Sequence, residues 1–182
     1  MSPLSTAESR RPLVTSAAVR AFARGGYRGT TIADVAAVAG ISASYVSKLY
    51  STKELLFVAA LDECFDQILG ALASGADAAG SDDSAAILDA MGDAYAELIA
   101  DRDLLLLQVH AQSVADVTEI RSAMREGLSN VTSFAQERSR CTDEEVQQFI
   151  AFGQLCHLIV TLDLDAVPAS WASALTRGIR HP

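Results

Sequence analysis

Apolar residues recur at helical spacing in one segment of this chain after another. Leu13, Val14, Ala17, Ala18, Ala21 and Phe22 form one stripe, which predicts a first helix over about residues 9–24 behind a loose arm at residues 1–6. Pro12 is tolerated near its start, because the first turn has no intrahelical N–H to lose. Gly25 and Gly26 stop this helix, and Tyr27 packs back under the next two helices. Ile32, Val35, Ala36 and Ala39 share the face of a second, short helix; Val46, Leu49 and Tyr50 form the inner side of a third. A fourth helix begins near Thr52 and continues through Leu56, Ala60, Phe65, Ile68 and Leu72. Residues 74–81, SGADAAGS, read as a loop. Asp82, Asp83 or Ser84 then caps a helix to about residue 100, and residues 101–103 make a short break. Two more helices cover about 104–115, with four consecutive leucines that predict burial on most sides, and 119–138. Thr142 or Asp143 opens a long apolar helix to about 163, and Pro168 begins the last one, which carries Trp171 and Leu175. The pattern is that of an all-α chain.

The stretch at residues 30–56, TTIADVAAVAGISASYVSKLYSTKELL, narrows this to a helix-turn-helix. Thr31 is a good N-cap, and Asp34 stands three residues on, where its carboxylate reaches back to free N–H groups. Gly40 supplies the left-handed residue that ends a helix, Ile41 plugs the space between the two helices, and Ser42 is a second N-cap. The helix over residues 43–50 then turns Ala43, Ser44, Tyr45, Ser47 and Lys48 outward. A recognition helix presents its first residues to base edges in the major groove. Small Ala43 and Ser44 admit a close approach of the backbone, while Tyr45, Ser47 and Lys48 offer hydrogen bonds and charge.

The segments AAVRAF (17–22), GGYRGTTIADVAAVAGIS (25–42) and YVSKLYSTKELL (45–56) resemble the TetR-type one-component repressors over about the first third of the chain. The resemblance implies a DNA-binding domain of three helices, a fourth helix linking it to a helical ligand-binding and dimerisation domain, and a homodimer. It places the boundary so that residues 1–51 read DNA and residues 52–182 form the body. It also implies that Thr30 and Thr31 touch backbone phosphate, that Ser42, Ser44, Tyr45, Ser47 and Lys48 face the groove, and that Lys53 holds a phosphate. Many members carry glycine at the position of Ser44 and tyrosine at that of Ser47; here the aromatic stands at Tyr45.

Charge sharpens the division. The chain carries a formal charge of −9, yet residues 1–55 hold seven basic side chains against three acidic ones. A basic head on an acidic body keeps phosphate attraction local. Cys64, Cys141 and Cys156 lack C-x-x-C spacing and cannot all pair within one chain, so they read as small buried hydrophobes in a reducing cytoplasm. No apolar run is long enough for a membrane span, and the N-terminus lacks a signal peptide's apolar core.

In the body, EVQQFIAFGQLCHLIVTL (145–162) is apolar on more than one side and therefore needs partners on more than one side. A subunit interface is expected there, from Phe149, Phe152, Gly153, Cys156 and Val160 with Trp171 and Leu175. Close approach of another helix is the expected compensation for Gly153. Met91, Tyr95, Gln108, Gln112, Met124 and Phe134, scattered over the middle helices, suit a mostly apolar pocket with a few placed polar groups. His110 and His157 have no partners at metal-ligand spacing and read as satisfied histidines. No catalytic motif, metal set or cofactor fingerprint is present: there is no HExxH, glycine-lysine phosphate loop or GxSxG. The expectation is a cytoplasmic, ligand-responsive homodimeric repressor of a near-palindromic double-stranded DNA operator. A constitutive or architectural DNA binder without a small-molecule effector is the alternative.

Overall fold

The computed structural model describes residues 6–179, with side chains from residue 10 onward. Among these residues every regular element is helical: α1 (Thr6–Gly29), α2 (Ile32–Ala39), α3 (Ala43–Leu49), α4 (Lys53–Ala78), α5 (Ser84–Leu98), α6 (Arg102–Ser113), α7 (Thr118–Ser139), α8 (Asp143–Leu162) and α9 (Ser170–Thr176), with a 3-10 turn at Leu164–Ala166 before α9. The all-α architecture, with a helix-turn-helix head and a helical body, is as the periodicity predicts. Of the expected N-terminal arm, residues 1–5 lie outside the described residues, and Thr6 is already helical. Pro12 therefore stands inside α1 rather than in its first turn, and the bond from residue 12 to the carbonyl of residue 8 is absent.

The chain forms two compact units. The first comprises the chain up to Phe65 together with Asp103–Gly127; the second comprises Asp66–Arg102 and the chain from Leu128. The first unit has its core on α1, where Val14, Ala17, Ala18 and Phe22 are fully buried, and on α4, where Leu56, Phe57, Ala60 and Leu61 are fully buried. Phe57 meets the rings of Phe22 and Tyr27 edge-on, at centroid separations of 4.7 and 5.4 Å, the geometry that ring quadrupoles favour. Of the four leucines on α6, Leu104, Leu105 and Leu107 are buried. At Gly26, φ is +65° and breaks the helical run as expected. A Cβ there would also meet the His110 ring at 3.0 Å, so α6 packs directly on the end of α1. On α7, Gly127 admits the Phe65 ring, which would lie 2.2 Å from a Cβ.

In the second unit α4 runs on to Ala78, through the stretch expected to be a loop. Composition misled because alanine favours helix and small residues favour close packing. A Cβ on Gly75 would lie 2.5 Å from the Ala90 carbonyl oxygen, and Ala76 is buried, so α4 and α5 approach backbone to backbone there. Asp83 is the cap of α5, accepting from the Ala86 N–H at 3.0 Å. Thr142 and Glu145 form a reciprocal capping box on α8, which packs against α5. Cys64, Cys141 and Cys156 are buried thiols.

Candidate nucleic-acid interface

The helix-turn-helix is built by three local devices. Thr31 Oγ1 accepts from the Asp34 N–H at 3.2 Å, while the Asp34 carboxylate accepts from the Thr31 N–H at 2.8 Å and from its hydroxyl at 2.7 Å. These bonds, the Thr31 hydroxyl first, hold the Asp34 carboxyl below the usual carboxylate range. Gly40 then adopts φ +67° and ψ +31°, and α2 closes in a Schellman arrangement. The Gly40 and Ile41 N–H groups donate to the carbonyls of Ala37 and Ala36. Ser42 Oγ accepts from the Tyr45 N–H at 3.3 Å and starts α3, whose axis is bent 106° from that of α2. That angle falls in the range of helix-turn-helix units. Although α2 and α3 together are apolar, no single helix among the described residues is long and apolar enough to cross a membrane.

On α3 the inner residues Val46 and Tyr50 are buried and Leu49 half-buried. Tyr50 is tied to α1 twice: its hydroxyl lies 3.0 Å from Thr15 Oγ1, and the Arg11 guanidinium lies 5.3 Å from its ring centroid. Ser42, Ala43, Ser44, Ser47 and Lys48 are exposed and Tyr45 is half-buried, so the expected reading face is accessible. Ser42 and Ser44 share a hydrogen bond of 3.1 Å, which orients both hydroxyls.

Thr30 and Thr31 behave differently from that expectation. Thr30 is only 3% exposed and donates its hydroxyl to the Ala21 carbonyl at 3.2 Å, with Gly25 leaving the room for it. Its side chain is turned inward and joins α1 to α2. The Thr31 hydroxyl is exposed but committed to Asp34. Lys53 keeps its place at the first turn of α4. Its Nζ donates to the Tyr27 carbonyl at 2.9 Å and sits 4.4 Å from the centroid of the Tyr27 ring. Beside it the Tyr27 hydroxyl donates to Glu54. Burial, then that carboxylate, push the Tyr27 phenol up to about 12, and the Tyr27 hydroxyl holds Glu54 below its usual range. The lysine is thus a positioned cation with two N–H donors left for an anion.

The candidate effector residues divide between the units. Gln108 and Met124 are buried in the first, where the Gln108 amide donates back to the Leu104 carbonyl at 3.3 Å; Gln112 there is exposed. In the second, Met91 is fully buried, Tyr95 and Phe134 are half-buried, and the Tyr95 hydroxyl lies 2.8 Å from His157 Nε2. His157 is therefore satisfied at one nitrogen only: Nδ1 is buried without a hydrogen-bond partner among the described residues. Burial pulls this imidazole down to about 4, so it is neutral near pH 7. Of the interface candidates, Phe152, Trp171 and Leu175 are exposed and Val160 is half-buried. Cys156 is buried in its own unit, while Phe149 and Gly153 face Gly92 and Tyr95 of α5. The open apolar stripe runs instead through Phe152 (42% exposed), Leu158 (53%) and Leu162 (62%), with Trp171 (55%) exposed on α9.

The family model described as "Bacterial regulatory proteins, tetR family" matches residues 14–60, which span α1 from Val14, both short helices and the start of α4. A TetR-family transcriptional regulator from Agrobacterium tumefaciens superposes with a TM-score of 0.71 at 18% identity, over 94% of this chain and 96% of that one. Residues 14–60 are thus similar to the tetR family of bacterial regulatory proteins. The transcriptional regulator FadR from Bacillus subtilis, solved in complex with stearoyl-CoA, superposes with a TM-score of 0.70 at 14% identity, over 92% of this chain and 98% of that one. The multidrug binding protein EbrR, complexed with imidazole, gives 0.65 at 19% identity, over 96% and 92%. At these identities the likeness is one of fold. No curated protein matches the chain.

Two features of this chain carried no signal in the sequence. One is the attachment of α6 and the turn after it to the head, through His110 on Gly26 and through Arg28 Nη2 to Asp116 Oδ2 at 2.6 Å. The other is the half-satisfied His157. The Arg28 and His157 bonds join residues 88 and 62 positions apart, and no local spacing announces such a meeting.

Proposed function

We propose that this chain is a ligand-responsive, dimeric transcriptional repressor acting in the cytoplasm on a near-palindromic operator. Residues 1–51 would read the DNA and residues 52–182 would bind the effector and form the dimer. The observation that carries the reading is the exposed outer face of α3, with Ser44, Tyr45, Ser47 and Lys48 presented on a doubly capped, 106° helix pair. Lys53 stands by as a held cation. The exposed apolar stripe on α8, with Trp171 and Leu175 on α9, supports a twofold interface, since such a surface is costly to leave in water. Two copies would then set their α3 helices into half-sites about one turn of DNA apart. The small molecules named for FadR and EbrR support an effector site in the body. Effector binding would favour an arrangement of α4 that sets the two α3 helices at the wrong separation. Linkage then requires DNA to weaken effector binding by the same factor.

The test is a fluorescence titration of the full chain against the intergenic DNA beside its own gene, against that duplex with its inverted repeat scrambled, and across a salt series. The proposal expects preferential binding to the native repeat, at a stoichiometry of two chains per repeat, with a steep salt slope. Equal affinity for both duplexes would end it.

A further inference from the structure

Two cations of the head are each held against a tyrosine ring. Lys53 lies over Tyr27, and the Arg11 guanidinium lies 5.3 Å from the centroid of the Tyr50 ring, within the range of a cation–π attraction. The second mount is built from α1. Tyr50 and Thr15 are both buried, and their hydroxyl oxygens lie 3.0 Å apart. Thr15 Oγ1 also donates to the Arg11 carbonyl at 3.0 Å. A threonine hydroxyl has one hydrogen to give, so the Tyr50 hydroxyl is the donor to Thr15. The bonds run from Tyr50 through Thr15 to the Arg11 backbone, and the Arg11 side chain returns to the Tyr50 ring. Arg11 is thus tied to the end of α3 by both its backbone and its side chain. It remains exposed, and among the described side chains no carboxylate pairs with it, since the ion pairs there belong to Arg28 and Arg138. Holding a long exposed side chain in one place costs rotamer entropy. The same ordering lowers the cost of meeting a partner later.

We infer that Arg11 is a DNA-backbone contact, a guanidinium preset by Tyr50 and Thr15 to take a phosphate beside α3. This rests on the reading of α3 proposed above. The helix has seven residues, so it is about 10 Å long, and the major groove is about 12 Å wide between its two phosphate walls. With the outer face of α3 in that groove, a cation mounted on Tyr50, the residue that ends α3, stands within reach of one wall. Attraction to a ring leaves the N–H donors of a guanidinium free, and its planar fork suits two phosphate oxygens at once. Arg11 makes the contact; Thr15 and Tyr50 are positioning residues that act through it.

The test is fluorescence anisotropy of the full chain on the native-repeat and scrambled duplexes over a salt series. Arg11→Gln should lower the slope of log K against log salt by about 1.8 on both duplexes, one phosphate from each of two subunits at about 0.9 each. Arg11→Ala, a second charge-free variant, should match it. Arg11→Lys should restore the slope, because a point charge still neutralises the phosphate, yet bind more weakly than wild type for want of the fork. Thermal unfolding of Arg11→Gln should fall no more than about 2–4 °C below wild type, since only an exposed ring contact is lost. Tyr50→Phe keeps the ring and removes the hydroxyl. In that background Arg11→Gln should cost less DNA affinity than it does in wild type, because the guanidinium there is less well ordered. A tie that merely holds the fold would lower the melting temperature and leave the Arg11 effect on DNA unchanged. An unchanged slope in folded Arg11→Gln and Arg11→Ala, or a slope that lysine does not restore, would overturn the contact; strictly additive losses would take the positioning role from Tyr50. The same titrations separate this from the parent reading. If wild type binds both duplexes equally while Arg11→Gln still lowers the slope, the operator reading falls and the contact stands. If wild type prefers the native repeat and the slope does not move, the reverse holds.

Discussion

Lys53→Ala offers the sharpest separation of phosphate anchoring from base reading. The Lys53 ammonium has one donor on the Tyr27 carbonyl and lies over the Tyr27 ring, so it is already oriented before any DNA arrives. Its remaining two donors suit one phosphate per subunit and therefore two in the proposed dimer. Each phosphate contact contributes about 0.9 to the slope of log K against log salt, so removing both lysines lowers the slope by about 1.8. Between roughly 50 and 200 mM salt, a fourfold change, the affinity gap between wild type and variant should then shrink by about tenfold. The gap should be the same for every sequence, because phosphates carry no sequence information. Losing the cation over the Tyr27 ring should cost the folded head about 0.5–1 kcal/mol, so unfolding is measured alongside. The assay is fluorescence anisotropy with native and scrambled duplexes over that salt range. An unchanged salt slope, or a loss confined to the native repeat, would refute the assignment of Lys53 to phosphate.

Tyr45→Ala should do the converse, collapsing the preference for the native repeat while leaving the salt slope near its wild-type value; equal losses on both duplexes would remove Tyr45 from readout. Gly40→Ala should destabilise the head by about 1–2 kcal/mol in thermal unfolding. No atom lies within 4 Å of a Cβ at Gly40, so that cost is backbone strain at φ +67° alone. The depressed Asp34 carboxyl makes the capping box pH-dependent. Its folded-state value lies below the unfolded one, so its stabilisation is complete above the usual carboxylate range and is lost as pH falls through the folded value. Asp34→Asn should flatten that acid limb of the unfolding profile, and an unchanged limb would place the acid sensitivity elsewhere. Leu158→Glu together with Leu162→Glu should shift the protein from dimer to monomer in sedimentation and weaken operator binding; a dimer that persists would move the interface off α8.

The amino-acid sequence alone determined what is local. Thr31 with Asp34, Gly40 and Ser42 each act within a few residues, so the first capping box, the turn and the outward face of α3 were legible in the chain itself, whereas at α8 only the start near Thr142 was, not its box with Glu145. The inner residues Val46 and Tyr50 followed from spacing, because a helix presents the same face every three to four positions. The tertiary structure decided what depends on distant partners. Thr30, in a segment full of polar candidates, turned inward because Gly25 leaves a space near the end of α1 and the Ala21 carbonyl accepts its hydroxyl. Residues 74–78 became helix because Gly75 lets α5 come close, a contact no loop composition encodes. Cys156 and Phe152 share a helix and an apolar character, yet one is buried and the other exposed. Periodicity names the faces of such a helix; only the neighbours that arrive, here α5, choose which face is covered and which is left open.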